Sequence, residues 1–388
     1  MSKDKLLFYM PENKLKSTGG PAGYLYNLRQ GLESIDAEGY RFLPPVKSAF
    51  MNSKILQRVV PQFIKNKRRT RRLINLLDVK ADLPVDLNQY QGVHFHSTED
   101  LYLSREALKS YGGTVLLTSH SPCVYHKELI MRLDRRDANR NADRLKQLEY
   151  LDEYAFNRAD YVIFPCKEAE EPYFHTWEKY SAVRRETKLR YIPTGIQGCI
   201  AKIARQEIRE RYCIPQDAFV MSYVGRHNEI KGYDRLTNTI PEILDKSGAW
   251  MLVAGRQGPL YPPHHDRWIE IGWTDDPYSL VAASDLFILP NRETFFDLVM
   301  LEVLSLGVPI LASRTGGNKF FEKFGSRGIS LFGDEKGLAR AIEEFLSMGK
   351  DAHFDASNDN KRLFESEFTC SKFAERYCNL IEETCKGA

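Results

Sequence analysis

An arginine and a lysine just behind an apolar run are the residues of this sequence best suited to hold an anion. The run 219–224 leads into Gly225-Arg226-His227-Asn228-Glu229-Ile230-Lys231-Gly232. If the run is a strand, Arg226 and Lys231 stand at its carboxyl end with only Glu229 close in sequence to neutralise them. Arginine offers forked donors and lysine a point charge, a pair suited to a diphosphate. A solvated loop with an exposed Arg–Glu pair is the plainer use of the same residues. A second segment, Asp297-Leu298-Val299-Met300-Leu301-Glu302-Val303-Leu304-Ser305-Leu306, has helical character and is closed by Gly307 and Pro309. It is apolar nearly all round, so it belongs in a core, and Glu302 is its one charged interior residue. A buried carboxylate needs partners. Two ribose hydroxyls would serve, as would a neighbouring loop.

The flanks of that helix matter too. Upstream, Pro290-Asn291-Arg292-Glu293-Thr294-Phe295-Phe296 feeds its N-terminus, where backbone N–H groups favour an anion or a sugar hydroxyl. Downstream, the run 310–312 enters Ser313-Arg314-Thr315-Gly316-Gly317-Asn318, a glycine-rich turn able to cradle an anion. In the first half, Thr18-Gly19-Gly20-Pro21-Ala22-Gly23 lacks the Gly-x-Gly-x-x-Gly spacing and no Walker lysine follows, so it reads as a loop of close backbone approach. His120 follows the run 114–117, and His94 and His96 flank Phe95 at the end of another. A histidine at a strand's carboxyl end can donate to a hydroxyl or stabilise charge; His94 reads as a satisfied structural residue. No Asp-x-Asp or His-Glu-x-x-His spacing supports a metal, and no cofactor is implied.

These residues need a frame. Apolar runs at 6–9, 93–95, 114–117, 161–164 and 189–192 alternate with amphipathic stretches, and after Pro215 the pattern restarts at 219–224, 250–254, 268–271, 286–289, 310–312 and 329–331. Alternating strand and helix predicts parallel sheets, here two doubly wound α/β domains. The turn-rich stretch Pro193-Thr194-Gly195-Ile196-Gln197-Gly198 reads as the hinge, giving a first domain over 1–195 and a second over 196–368. Phe373, Tyr377, Leu380 and Ile381 share a helical face in the tail 369–388, which predicts a docking helix. Composition agrees with a globular protein: 388 residues, 43% hydrophobic and 28% charged, net charge +3. That near-balance argues against a general nucleic-acid coat protein. Seven cysteines without a Cys-x-x-Cys argue against a disulfide framework or zinc site and for a reducing cytoplasm. No secretory leader or membrane-spanning run is expected, the apolar start at 6–10 being stopped by Pro11.

Together these segments resemble the family 4 retaining glycosyltransferases of bacterial polysaccharide type, which share the GT-B architecture of two Rossmann-like domains facing across a cleft. The resemblance runs over most of the chain. It is densest in Val224-Gly225-Arg226 with Lys231-Gly232, Val253-Ala254-Gly255, Ala283-Ser284-Asp285 with Pro290, and Leu301-Glu302 through Gly307-Val308-Pro309-Ile310 to Thr315-Gly316-Gly317. Ile192-Pro193-Thr194-Gly195-Ile196 is similar to the family's segment before the hinge.

The resemblance implies a metal-independent hexosyltransferase, with a nucleotide-sugar donor (UDP by family frequency) and a glycan or lipid-linked glycan as acceptor. Arg226 and Lys231 would bind the diphosphate and Glu302 the ribose. Gly20 and His120 would approach the donor sugar, and the terminal helix would cross back to the first domain. The family's Glu-x7-Glu motif departs here: with seven residues between it and Glu302 stands Thr294, not Glu, Glu293 lies one earlier, and the usual Gly-Phe-Gly is Phe295-Phe296-Asp297. Glu293, Thr294, Phe296, Asp297 and Leu298 are therefore the donor-binding candidates. A GT-B sugar-nucleotide epimerase and an inactive sugar-nucleotide-binding partner subunit are the alternatives.

The near-neutral total hides a local excess. Lys65, Lys67, Arg68, Arg69, Arg71 and Arg72 fall within eight residues with no acid, and without them 49 basic residues face 52 acidic ones. Bracketed by Phe63, Ile64, Leu73, Ile74, Leu76 and Leu77, they predict a helix lying on an anionic membrane surface, on the inner, cytoplasmic face. A solvated face is the plainer use of such a run. No aromatic residue is interleaved with these charges, so nucleic acid is not the expected partner.

Overall fold

Short runs of Val, Ile, Leu and Phe with no polar alternation need cover on both faces, which a parallel sheet between helices provides. The computed structural model describes residues 3–11, 15, 20–43, 61–121 and 123–385; Thr18 and Gly19 of the N-terminal glycine loop lie outside them. Two six-stranded, wholly parallel sheets are present. The first is built from β1 (Asp4–Tyr9), β2 (Tyr40–Phe42), β3 (Tyr90–Phe95), β4 (Thr114–Leu117), β5 (Tyr161–Phe164) and β6 (Leu189–Tyr191) in the order β2-β1-β3-β4-β5-β6. The second is built from β7 (Val220–Val224), β8 (Trp250–Ala254), β9 (Trp268–Gly272), β10 (Leu286–Leu289), β11 (Ile310–Ser313) and β12 (Ile329–Phe332) in the order β12-β11-β10-β7-β8-β9. Every residue of β10 and β11 is buried, as a strand covered on both faces requires. The fold class expected from the sequence is thus the one observed.

One strand escaped the sequence. β2 is three residues long, with the exposed Arg41 at its centre, and pairs with β1 through Leu6↔Tyr40 at the sheet's edge. An edge strand with one exposed face has too little apolar pattern to read.

The chain folds as two units: Met1–Pro165, Pro172–Ile192 and Ala374–Ala388 form the first, and Cys166–Glu171 with Pro193–Phe373 the second. The terminal helix Cys370–Thr384 therefore gives most of its length to the first unit. There Ala374 and Tyr377 are fully buried, and the Tyr377 ring lies 5.4 Å from that of Phe8 on β1.

Candidate active site

In each sheet the strand order reverses at one point, and ligands of open parallel sheets bind beyond the carboxyl ends of the strands there. In the second sheet that point lies between β7 and β10. Arg226 leaves β7, the loop 290–297 leaves β10, and Ser313 ends β11 on the same edge. One sheet edge thus gathers segments more than 60 residues apart in sequence.

Two glycines let these loops meet. Gly232 has φ +67°, and a Cβ there would lie 1.8 Å from the carbonyl oxygen of Pro290. Gly316 has φ +43°, and its Cβ would lie 1.9 Å from the carbonyl oxygen of Thr294. Only glycine permits both the left-handed backbone and the contact.

The two cations differ. Arg226 is exposed, and its guanidinium makes no hydrogen bond or ion pair with a described residue. Lys231 is not the nearly uncompensated cation expected from the sequence: its Nζ lies 2.7 Å from Oδ2 of Asp297, and the Asn291 amide donates to the same oxygen. Burial favours the neutral Asp297, but the Lys231 ammonium and the two hydrogen bonds outweigh it and hold the carboxyl below its ordinary range. Asp297 precedes the helix Leu298–Leu306 yet makes no side-chain cap bond to it. The first turn, beginning at Leu298, therefore keeps donors for water or an anion.

Glu302 lies on that helix, partly exposed, and accepts a hydrogen bond from the Tyr278 hydroxyl at 3.3 Å. Burial lifts its carboxyl to about 7, the charge of Asp297 adding to the rise and the Tyr278 bond opposing it. The other donor-loop candidates are placed unequally. Thr294 is buried, and its carbonyl faces the Gly317 amide at 3.4 Å. Phe296 packs its ring on Phe321 and Phe320, at 5.6 and 6.0 Å. Glu293 is partly buried in the same loop.

The turn Gly316-Gly317-Asn318, expected to cradle an external anion, opens the 3₁₀ segment Gly316–Phe324 and already holds an internal one. The Glu171 carboxylate accepts from the Gly316 amide at 3.4 Å and pairs with Lys319. Asn291, Tyr278 and Glu171 were not singled out from the sequence. Asn291 lies within the segment 290–296 that feeds the helix, whereas nothing local marks Glu171, 148 residues from Lys319.

In the first unit the order reverses between β1 and β3. Gly20, φ +78°, precedes the helix Pro21–Ser34 there. His120 follows β4, and its Nε2 lies 3.0 Å from Nδ1 of the buried His96, one ring nitrogen donating to the other. Its imidazole packs edge-on against Tyr24 with ring centres 4.8 Å apart. Burial pushes His120 down to about 3, so its imidazole is neutral near pH 7. His94 is fully buried between the Tyr377 hydroxyl and Thr118 Oγ1. Among the described residues no group of three or more His, Cys, Asp or Glu is arranged to hold a metal.

The basic run forms the helix Gln62–Ile74, with Lys65, Lys67, Arg68, Arg69, Arg71 and Arg72 all exposed and Leu73 anchored in the core beside Leu76. Two of the six have structural partners: Arg72 pairs with Glu99, and Arg69 donates to the Arg132 carbonyl at 2.9 Å. The side chains of Lys65, Lys67, Arg68 and Arg71 make no hydrogen bond or ion pair with a described residue. No helix among the described residues is long and apolar enough to cross a membrane.

Comparison with known proteins finds a family match within the second unit. The family model described as glycosyl transferases group 1 matches residues 218–348, which hold β7, β10, β11 and every loop of that edge. The second unit carries a group 1 glycosyltransferase domain. A lipopolysaccharide core biosynthesis glycosyltransferase of Rhizobium meliloti is 30% identical to the chain over 146 residues, 36% of this chain and 43% of that protein. The match thus spans less than half of that relative's length. Sucrose-phosphate synthase from Thermosynechococcus elongatus superposes with TM-score 0.65 at 17% identity, covering 97% of this chain and 98% of that one. HepE from Anabaena, crystallised with UDP, gives 0.62 at 15% identity, covering 97% and 99%. The glycosyltransferase domain is therefore one of two parallel-sheet α/β domains with the GT-B fold.

Proposed function

We propose that the chain is a retaining glycosyltransferase that moves a hexosyl group from a nucleotide-diphosphate sugar, with UDP as the nucleotide, to a hydroxyl of a glycan or lipid-linked glycan. The observation that carries this is the convergence of Arg226, Lys231 and the N-terminus of the helix bearing Glu302 on one sheet edge within a group 1 glycosyltransferase domain. The UDP held by HepE supports the choice of base. In this reading Arg226 and Lys231 stabilise charge growing on the departing diphosphate. Glu302 accepts hydrogen bonds from the ribose hydroxyls. Side-chain cations supply the charge stabilisation, so no metal is required. The test is release of nucleoside diphosphate from a panel of nucleotide sugars, with EDTA present. UDP release tied to a glycosylated acceptor is expected. An epimerised free nucleotide sugar, or binding without turnover, overturns the reading.

Glu302 predicts a pH dependence. Ribose hydroxyls donate best to an ionised carboxylate, so binding favours the deprotonated form and expels the proton held near pH 7. UDP binding should therefore tighten as pH rises through about 7 and level off above it. Calorimetry at pH 6 and 8 checks this against Glu302→Gln, which should lose that part of the dependence.

The helix Gln62–Ile74 is proposed to hold the enzyme on an anionic membrane surface from the cytoplasmic side, at about 1 kcal/mol per basic residue before screening. Exchanging Lys65, Lys67, Arg68 and Arg71 for Gln leaves the Arg72–Glu99 pair and the Arg69 contact in place. The variant should lose co-sedimentation with anionic liposomes; retained binding counts against this helix as the membrane anchor.

A further inference from the structure

We propose that Asp297 is a built-in counter-ion of the diphosphate site, occupying Lys231 when the donor is absent and weakening the hold on the diphosphate product. The inference rests on the diphosphate reading of Arg226 and Lys231 and concerns the one feature that opposes it. Asp297 Oδ2 lies 2.7 Å from Lys231 Nζ, and the Asp297 side chain is 16% exposed against 30% for Lys231. The same oxygen takes the amide of Asn291, a fully buried residue, so the carboxylate is fixed rather than free to swing into solvent. It also stands at the start of the helix Leu298–Leu306 without capping it. An anion is therefore already installed where the helix dipole and a lysine would draw an external one.

A diphosphate reaching Lys231 must share its ammonium with Asp297 or displace it. Either way the ligand meets a like charge at short range in a partly desolvated pocket, where such interactions are strong. Arg226, exposed and without an ion-pair partner among the described residues, remains fully available. The site thus holds one uncompensated cation and one compensated cation. Such an arrangement admits a diphosphate and releases it again, whereas two bare cations would retain it.

Binding measurements on the full chain separate this from a purely structural role for Asp297. Inorganic pyrophosphate, UDP and uridine are titrated calorimetrically into wild type, Asp297→Asn and Asp297→Ser at one pH and ionic strength. Asn keeps the shape and a hydrogen bond to Lys231; Ser is a neutral residue favoured at a helix start and serves if Asn does not fold. Pyrophosphate and UDP are expected to bind at least about tenfold more tightly to the neutral variants, with uridine unchanged. Equal or weaker binding of pyrophosphate and UDP by a folded variant overturns the proposal, as does equal tightening of uridine. If wild type binds neither pyrophosphate nor UDP, the diphosphate reading itself fails, and this inference falls with it.

Discussion

Lys231→Ala is expected to slow donor turnover by about 10²–10³-fold, the usual effect of removing one preorganised charge donor from a developing anion. The loss should appear mainly in kcat if the ammonium acts on the departing diphosphate, because that charge is larger in the transition state than in the bound donor. Removing the lysine also strands Asp297, a mostly buried carboxylate that keeps only the Asn291 amide. An unpaired buried charge is destabilising, so a slow variant could be a poorly folded one. The double variant Lys231→Ala, Asp297→Asn removes that charge. It should regain thermal stability without regaining rate. Recovery of turnover in the double variant, or near-wild-type turnover in the single one, would remove Lys231 from the chemistry.

Gly232→Ala should be as damaging, for a different reason. The new Cβ would lie 1.8 Å from the Pro290 carbonyl oxygen on a backbone with φ +67°. A left-handed alanine costs about 1–2 kcal/mol, and forcing a neighbour aside adds about 1–3 kcal/mol. The total of about 2–5 kcal/mol is a large fraction of a domain's stability. The clash opens the seam between the loops leaving β7 and β10, so UDP binding should be lost along with the melting temperature. Gly248→Ala supplies the control: φ is +73° at the other end of the same helix, Tyr233–Ser247, but nothing lies within 4 Å of its Cβ. It should show the backbone strain alone and keep UDP binding. If the two variants melt together, the close approach to Pro290 is not what makes Gly232 necessary.

These sites differ in how far the sequence revealed them. Buried parallel strands are unbroken apolar runs, so β7, β10 and β11 and the residues leaving them could be read directly. Glu302 showed itself as a lone charge in an apolar helix. Compensation of charge was invisible. Asp297 lies 66 residues from Lys231 and Glu99 lies 27 from Arg72, and no local pattern links either pair. Lys231 therefore read as a bare cation, Asp297 as a sugar ligand and the six basic residues as a uniform patch. Residue types located the polar groups, while three-dimensional pairing decided which of them remain available.

The terminal helix bears on the order in which the molecule can be made. Tyr377 closes the first unit by packing on Phe8 and bonding His94, yet it is separated from both by the entire second unit in sequence. During synthesis the ribosome must deliver β7 through β12 before the first sheet receives Tyr377. Pro193–Phe373 can complete its own sheet while Phe8 and His94 still wait for Tyr377. The half of the chain made first is therefore the half finished last, and its exposed β1–β3 face is what a chaperone would have to shield in the interval.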